Sequence, residues 1–347
     1  MSCILIIGII STTEKNQCRN MSCILIIGII STVRGFLTTP FSPLSPTDTP
    51  LKPTIKKPKF PCFISTHSSR FNTQMTLSKF DPNDDILYFV IKKANGIKGV
   101  VYRSLEIIPN QCIQPKEHRL DKSQIDNQES IPTIDLSFFF NDLNWSCFQI
   151  INHGIPIEVL EDLKYAAHKI FELPAKEKVK YCKASCSAGE SVLMFWSAIG
   201  EKNEKYLEWR DNIKYEVLLK GLNVNEINES LEPLLMGTMN ININYYPPCS
   251  NPSITIGSRR HCDVSCITLL FQDEMGALYC VAIDSSRARI SVPLFVNTCL
   301  DGVIGPIPQM LKDGEKPVYK NVLHSDYWVY FYCKRPSCIA SLDFVKI

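Results

Sequence analysis

Apolar and polar positions change their period along the chain, and the change divides it. Ile241, Ile243 and Tyr245 alternate with Asn242, Asn244 and Tyr246, the period-two pattern of a half-buried strand that Pro247-Pro248 then ends. Ser265 to Phe271, Gly276 to Val281 and Ile290 to Val296 are further short apolar runs of strand type. Short strands separated by Pro- and Gly-containing turns predict an antiparallel barrel or jelly roll. Upstream the period lengthens. Leu160, Leu163, Ala167, Ile170 and Phe171 recur at helical spacing after Pro156, and Leu173-Pro174 stops the run. Phe148 to Ile151 reads as a buried strand closed by the turn Asn152-His153-Gly154, and Ile131 to Leu136 as a short β segment. Asp85 to Lys93 has an apolar face as either helix or strand, and Asn95-Gly96 marks a turn. A helical front half and a β back half make the chain α+β.

The first part of the chain follows no such rule. Residues 1–12, MSCILIIGIIST, recur unchanged at residues 21–32. Each apolar run, Ile4 to Ile10 and Ile24 to Ile30, is far shorter than the roughly 20 residues that span a bilayer. No basic stretch precedes the first run, as a signal peptide requires. Pro40, Pro43, Pro46, Pro50, Pro53, Pro58 and Pro61 then crowd a Ser-, Thr- and Lys-rich segment that has little to bury. Residues 1–74 are therefore expected to be a disordered leader, either a plastid transit segment or a non-native extension ahead of Met75. Residues 75–230 form the amino-terminal helical region and 231–347 the β region.

Composition narrows the function classes. The chain has 347 residues, 45% hydrophobic and 21% charged, with a net charge of +2. That balance suits a soluble monomer and supplies no field for nucleic acid or an anionic membrane. The 15 cysteines include no Cys-x-x-Cys pair, so free thiols in a reducing compartment are expected instead of a disulfide framework. The cytoplasm is the expected location, with the plastid as the alternative.

Candidate chemistry centres on His261-Cys262-Asp263 and Arg289-Ile290-Ser291. Residues two apart in an extended segment share a face, so His261 and Asp263 converge. With a third ligand they would form a facial triad for a non-haem metal. The same residues, with Cys262 and Cys266, would suit zinc but have no second pair to close the site. A surface histidine beside a turn-forming aspartate is the plainer reading of the short motif taken alone. Arg289 and Ser291 likewise share a face, and a guanidinium fork beside a hydroxyl suits a carboxylate. Tyr246 lies upstream in NYYPPCSNP.

The order NYYPPCSNP, HCD, ITLLFQDEMGALY and RISVPLFVN is very similar to the plant iron(II)/2-oxoglutarate-dependent dioxygenases. The tail VIGPIPQMLKDGEKPVYKNVLHSDYWVYF resembles their feruloyl-CoA ortho-hydroxylase-like subgroup of specialised metabolism. IPTIDLS, WSCFQIINHGIP, LPAKEKVKY, LEWRD and ANGIKGVV resemble it too. The resemblance spans about residues 75–347 with gaps. It implies a double-stranded β-helix core, Fe(II) held by His261 and Asp263, and 2-oxoglutarate held by Arg289, Ser291 and Tyr246. Ascorbate is the implied accessory and a small aromatic phenylpropanoid the implied substrate.

The chain departs from that family where the site should be completed. The family carries its second iron histidine between the segments matching Gly276–Val281 and Arg289–Ser291. Here only eight residues separate Cys280 from Arg289. The other histidines, His67, His118, His153, His168 and His324, lie elsewhere in the sequence. A second loss follows Trp209-Arg210-Asp211, where the family continues in a helical stretch, and a smaller one precedes Trp145. Arg259 adds a positive charge two positions before His261, which is unfavourable for a cation site. The expectation is an incomplete core with exposed strand edges and crippled catalysis.

Overall fold

The computed structural model of the chain describes residues 4–8, 86–103, 108–119, 131–135, 147–179, 193–196, 206–218, 237–259, 261, 263–273, 284–306, 314, 316–334 and 343–347. Eight strands form one sheet: β1 (Ile4–Gly8), β2 (Thr133–Asp135), β3 (Cys147–Ile151), β4 (Leu193–Trp196), β5 (Asp211–Leu218), β6 (Thr238–Tyr246), β7 (Ile267–Gln272) and β8 (Arg289–Asn297). Their order is β2-β3-β1-β7-β8-β6-β5-β4, and every neighbouring pair is antiparallel except β2 with β3. A separate ribbon pairs β9 (Val303–Ile304) with β10 (Val322–Leu323).

Period two explains the two faces of the central strands. Ile290, Val292, Leu294 and Val296 of β8 are all buried, and the register sets them beside Tyr245, Ile241 and Met239 of β6 and Phe271, Leu269 and Ile267 of β7. Helix α2 (Ile157–Glu172) covers this apolar face, with Phe171 stacked on Tyr245 at 5.2 Å between ring centroids. The opposite face carries Arg289 and Ser291 of β8, Asn244 and Tyr246 of β6, and Thr268 and Gln272 of β7.

A second apolar cluster ties the amino-terminal helices to the segment that enters β5. Ile86, Val90, Ile97, Val100, Cys112, Leu207, Trp209 and Cys249 pack together there. Tyr88–Lys92 is one π-helical turn, and helix α1 (Gly96–Tyr102) follows at once. The expected Asn95-Gly96 turn thus opens a helix. Gly96 has φ +72°, and a Cβ at that position would lie 2.5 Å from the Asp211 carboxylate. Asp211 accepts hydrogen bonds from the Ile97 and Lys98 amides at 2.6 and 3.0 Å, so it caps α1 from another element. Short helix α3 (Ala175–Lys178) and carboxy-terminal helix α4 (His324–Lys334) complete the regular structure.

The structure differs from the sequence reading in two places. Ile4–Gly8 is not disordered: it lies between β3 and β7, with Ile4 opposite both Ile150 and Phe271. Its apolar β-branched run satisfies two strand edges at once. The rest of the leader lies outside the described residues. β4 and β5 also add strands to a region read as helical. In β5 the alternation of Ile213, Tyr215 and Val217 with Asn212, Lys214 and Glu216 is itself a strand signal. The expected strand Gly276–Val281 lies outside the described residues.

Candidate active site

The polar face of β6, β7 and β8 gathers the residues that hold the site. Antiparallel register puts Tyr246 opposite Arg289 and Asn244 opposite Ser291, so four side chains form a square. The Arg289 guanidinium lies 4.9 Å from the Tyr246 ring centroid, a cation–π contact. Arg289 Nη2 donates to Gln272 Oε1 at 2.9 Å, and Asn244 Nδ2 donates to Ser291 Oγ at 3.3 Å. Arg289, Ser291 and Tyr246 are each only 2% exposed. A guanidinium this buried is costly unless it meets an anion or polar partners, which is the setting that binds a carboxylate.

His261 and Asp263 stand ahead of β7. His261 Nε2 lies 3.5 Å from Asp263 Oδ1. Metal bonds of roughly 2.1 Å at right angles set neighbouring ligand atoms about 3 Å apart, so this pair fits two adjacent positions on one divalent cation. Each side chain is held from behind. His261 Nδ1 lies 2.7 Å from the Arg259 carbonyl, which can only accept, so Nδ1 carries the proton and Nε2 faces Asp263. Thr268 donates to Asp263 Oδ2 at 2.7 Å, and Ser265 in turn donates to Thr268 at 2.9 Å. Oδ1 is thereby left for the cation side. When Nε2 is protonated as well, its hydrogen bond to Asp263 favours the charged ring and holds the His261 pKa above its ordinary value.

The two halves are joined by groups that sequence reading missed. Glu208 is buried and ion-paired to Arg210 at 2.7 Å. Its Oε1 accepts from the Arg259 backbone amide at 2.9 Å, and the Arg259 guanidinium lies 3.4 Å from the same oxygen. Burial pushes the Glu208 carboxyl up, but Arg210 and the Arg259 amide and guanidinium outweigh it, and the net shift is down. Arg210 Nη1 reaches Asn244 Oδ1 at 3.5 Å, which also accepts from Asn212 Nδ2. Polar links therefore run from Ser291 through Asn244, Arg210, Glu208 and Arg259 to His261. Glu208 is shared between Arg210 and Arg259, so one carboxylate meets two guanidiniums close to His261.

No third donor joins His261 and Asp263 among the described residues, where no group of three His, Cys, Asp or Glu side chains could hold a metal. His118 is exposed on a short 3-10 turn. The His153 ring accepts from the Ile155 amide within its own turn, and His168 meets Tyr245 edge-on at 6.0 Å. His324 is buried at the start of α4. Cys266 is partly buried with its thiol pushed up by burial, and Cys262 lies outside the described residues, so nothing here favours the zinc reading. No described helix is long and apolar enough to cross a membrane.

Comparison with known proteins places the chain in a family. The profile of the "non-haem dioxygenase in morphine synthesis N-terminal" family matches residues 143–231, and that of the "2OG-Fe(II) oxygenase superfamily" matches residues 237–326. A feruloyl CoA ortho-hydroxylase of Ipomoea batatas is 35% identical over 349 positions, covering 76% of this chain and 97% of the relative. Feruloyl CoA ortho-hydroxylase 1 of Arabidopsis thaliana is 33% identical, covering 78% and 98%. A bi-functional coumaroyl CoA and feruloyl CoA ortho-hydroxylase of Ruta graveolens is 34% identical, covering 75% and 95%. The 349 aligned positions exceed the whole 347-residue chain, of which only 76% takes part, so the relatives carry internal segments that this chain lacks. The crystal structure of JOX2 in complex with 2OG, Fe and JA shares the fold, with a TM-score of 0.58, 16% identity, and coverage of 73% of this chain and 97% of that one. The α+β, double-stranded β-helix architecture expected from the sequence is the fold of these proteins. By its core profile, its relatives and its fold, the chain belongs to the 2OG-Fe(II) oxygenase family, beside the feruloyl CoA ortho-hydroxylases.

Proposed function

We propose that this chain binds 2-oxoglutarate and an aromatic CoA ester of the phenylpropanoid class in a family-type oxygenase site, with hydroxylation crippled by a missing iron ligand. In this reading His261 and Asp263 are two of three Fe(II) ligands. Arg289 and Ser291 grip the distal carboxylate of 2-oxoglutarate, with Tyr246 against the guanidinium. Bound Fe(II) and 2-oxoglutarate would supply the oxidising chemistry, with ascorbate keeping the metal reduced. The chain's own groups do the rest. The buried polar face excludes water, Arg289 and Ser291 orient a carboxylate, and Thr268 keeps the Asp263 oxygen aimed.

The observation that carries this reading is the shared polar face. Arg289, Ser291 and Tyr246 sit side by side on β6 and β8, and Asp263 is tethered to Thr268 on the same face of β7. Loss of catalysis is supported by the gaps against the relatives. The substrate class rests on what those relatives act on. The division into a leader at 1–74, an amino-terminal region at 75–230 and a core at 231–347 belongs to the same proposal, apart from the strand at Ile4–Gly8.

The deciding assay measures succinate released from 2-oxoglutarate with Fe(II), ascorbate and feruloyl CoA, beside the Ipomoea batatas relative. Release at background is expected, while calorimetry without metal still detects 2-oxoglutarate. Turnover equal to the relative's would sink the claim of lost catalysis. Absence of 2-oxoglutarate binding would sink the site assignment.

A further inference from the structure

Glu208 comes from outside the β region that carries the metal motif, yet it reaches the peptide two residues before His261. Its segment is pinned on both sides. The Leu207 amide donates to the Gln111 carbonyl at 2.6 Å, and the Trp209 amide donates to the Ile256 carbonyl at 2.8 Å. Leu207 and Trp209 are 1% and 3% exposed, and the Trp209 indole donates to the Pro247 carbonyl at 3.1 Å. A carboxylate on so fixed a segment has little freedom. Glu208 Oε1 accepts from the Arg259 amide, and the Arg259 carbonyl, at the other end of the same residue, accepts from His261 Nδ1.

We propose that Glu208 is a positioning residue: it clamps the Arg259 backbone, and the clamped Arg259 carbonyl fixes His261 with its proton on Nδ1 and Nε2 toward Asp263. This rests on the reading of His261 and Asp263 as a metal-binding pair. The alternative position of the ring would place a protonated nitrogen toward the cation, where a lone pair is needed. The ion pair with Arg210 serves a second end, because Arg210 also contacts Asn244 and so sets the clamp relative to Ser291. Glu208 acts through Arg259 and His261, not on the substrate.

The test uses the full chain with nitrogen-15 histidine, recorded at alkaline pH where the ring is neutral, with the His261 signal assigned through His261→Asn. The unaltered chain is expected to show the Nδ1-protonated form. Glu208→Ala is expected to give a mixture of tautomers and to weaken Co(II) binding, read by calorimetry, by about tenfold or more. Glu208→Gln keeps an acceptor oxygen for the Arg259 amide, and is expected to retain the single tautomer. A folded Glu208→Ala chain with the tautomer and Co(II) affinity of the unaltered chain would overturn the proposal. If Glu208→Ala does not fold, Glu208→Gln decides, since a mixed tautomer in that folded variant overturns the acceptor role. Failure of the metal reading looks different: the unaltered chain would bind no Co(II), while the tautomer comparison would still report on the clamp.

Discussion

Thr268 holds one oxygen of Asp263 and leaves the other facing His261, so its hydroxyl is worth more than its methyl. Thr268→Val, nearly equal in shape, should weaken Co(II) binding by about tenfold, and Thr268→Ser should restore most of it, both read by calorimetry. Equal affinity in Thr268→Val would mean that Asp263 is oriented by other contacts. Arg289→Lys should weaken metal-free 2-oxoglutarate binding by about tenfold or more, because an ammonium cannot form the two parallel hydrogen bonds of a guanidinium. Unchanged binding would place the carboxylate elsewhere. Cys112 is fully buried, and burial pushes its thiol up to about 12. The native chain should therefore resist alkylation at Cys112 at about pH 8.5 and react once unfolded. The sign for stability follows. The unfolded thiol ionises first, so this group's contribution is intact below about pH 9 and is lost as pH rises toward 12. Peptide mapping after alkylation checks the first statement, and denaturant melts at rising pH check the second.

At the scale of elements, β1 and the start of α1 carry the consequences. β1 covers the edges of both β3 and β7, so removing residues 1–32 should leave two unpaired edges and an aggregating chain. Removing only residues 1–20 leaves an identical ILIIG segment at the new amino terminus, which can fill the same seat. That shorter deletion should melt like the full chain and elute as it does on gel filtration. If both deletions behave alike, β1 does not complete the sheet. Gly96→Ala should cost at least about 1–3 kcal/mol in urea unfolding, since the residue needs a positive φ and its Cβ would press on the Asp211 cap. The helix α2, β3, β6 and β8 were legible from period alone. β5 was missed because the family resemblance suggested helix after Asp211, while the alternation from Asn212 to Val217 favoured strand.

For the molecule as a whole, the proposed loss of catalysis traces to internal segments that the relatives carry and this chain lacks. The residues that would hold 2-oxoglutarate are present and buried together, and His261 and Asp263, the first exposed and the second partly buried, stand ahead of the same face. Inserting the relatives' internal segment between Cys280 and Arg289 should therefore raise succinate release well above background. No gain in a soluble, folded chimera would show that the other gaps also disable the enzyme. That insertion also tests the sheet. A restored core strand and β1 would compete for edge positions, so residues 1–32 should become dispensable for stability in the chimera.

Sequence by itself determined the strands and helices with a clear period, the family, and the paired faces of His261-x-Asp263 and Arg289-x-Ser291. Local geometry suffices for those, because a period of two or 3.6 residues needs no knowledge of what lies opposite. Register between strands was needed to set Tyr246 beside Arg289 and Asn244 beside Ser291. Only the tertiary structure decided that Ile4–Gly8 joins the sheet, that Asp211 caps a distant helix, and that Glu208 accepts from the Arg259 amide two residues before His261. Those contacts join residues from 51 to more than 250 positions apart. Their partners are chosen by which backbone groups and charges are left unsatisfied once the chain has folded, and no spacing along the chain records that choice.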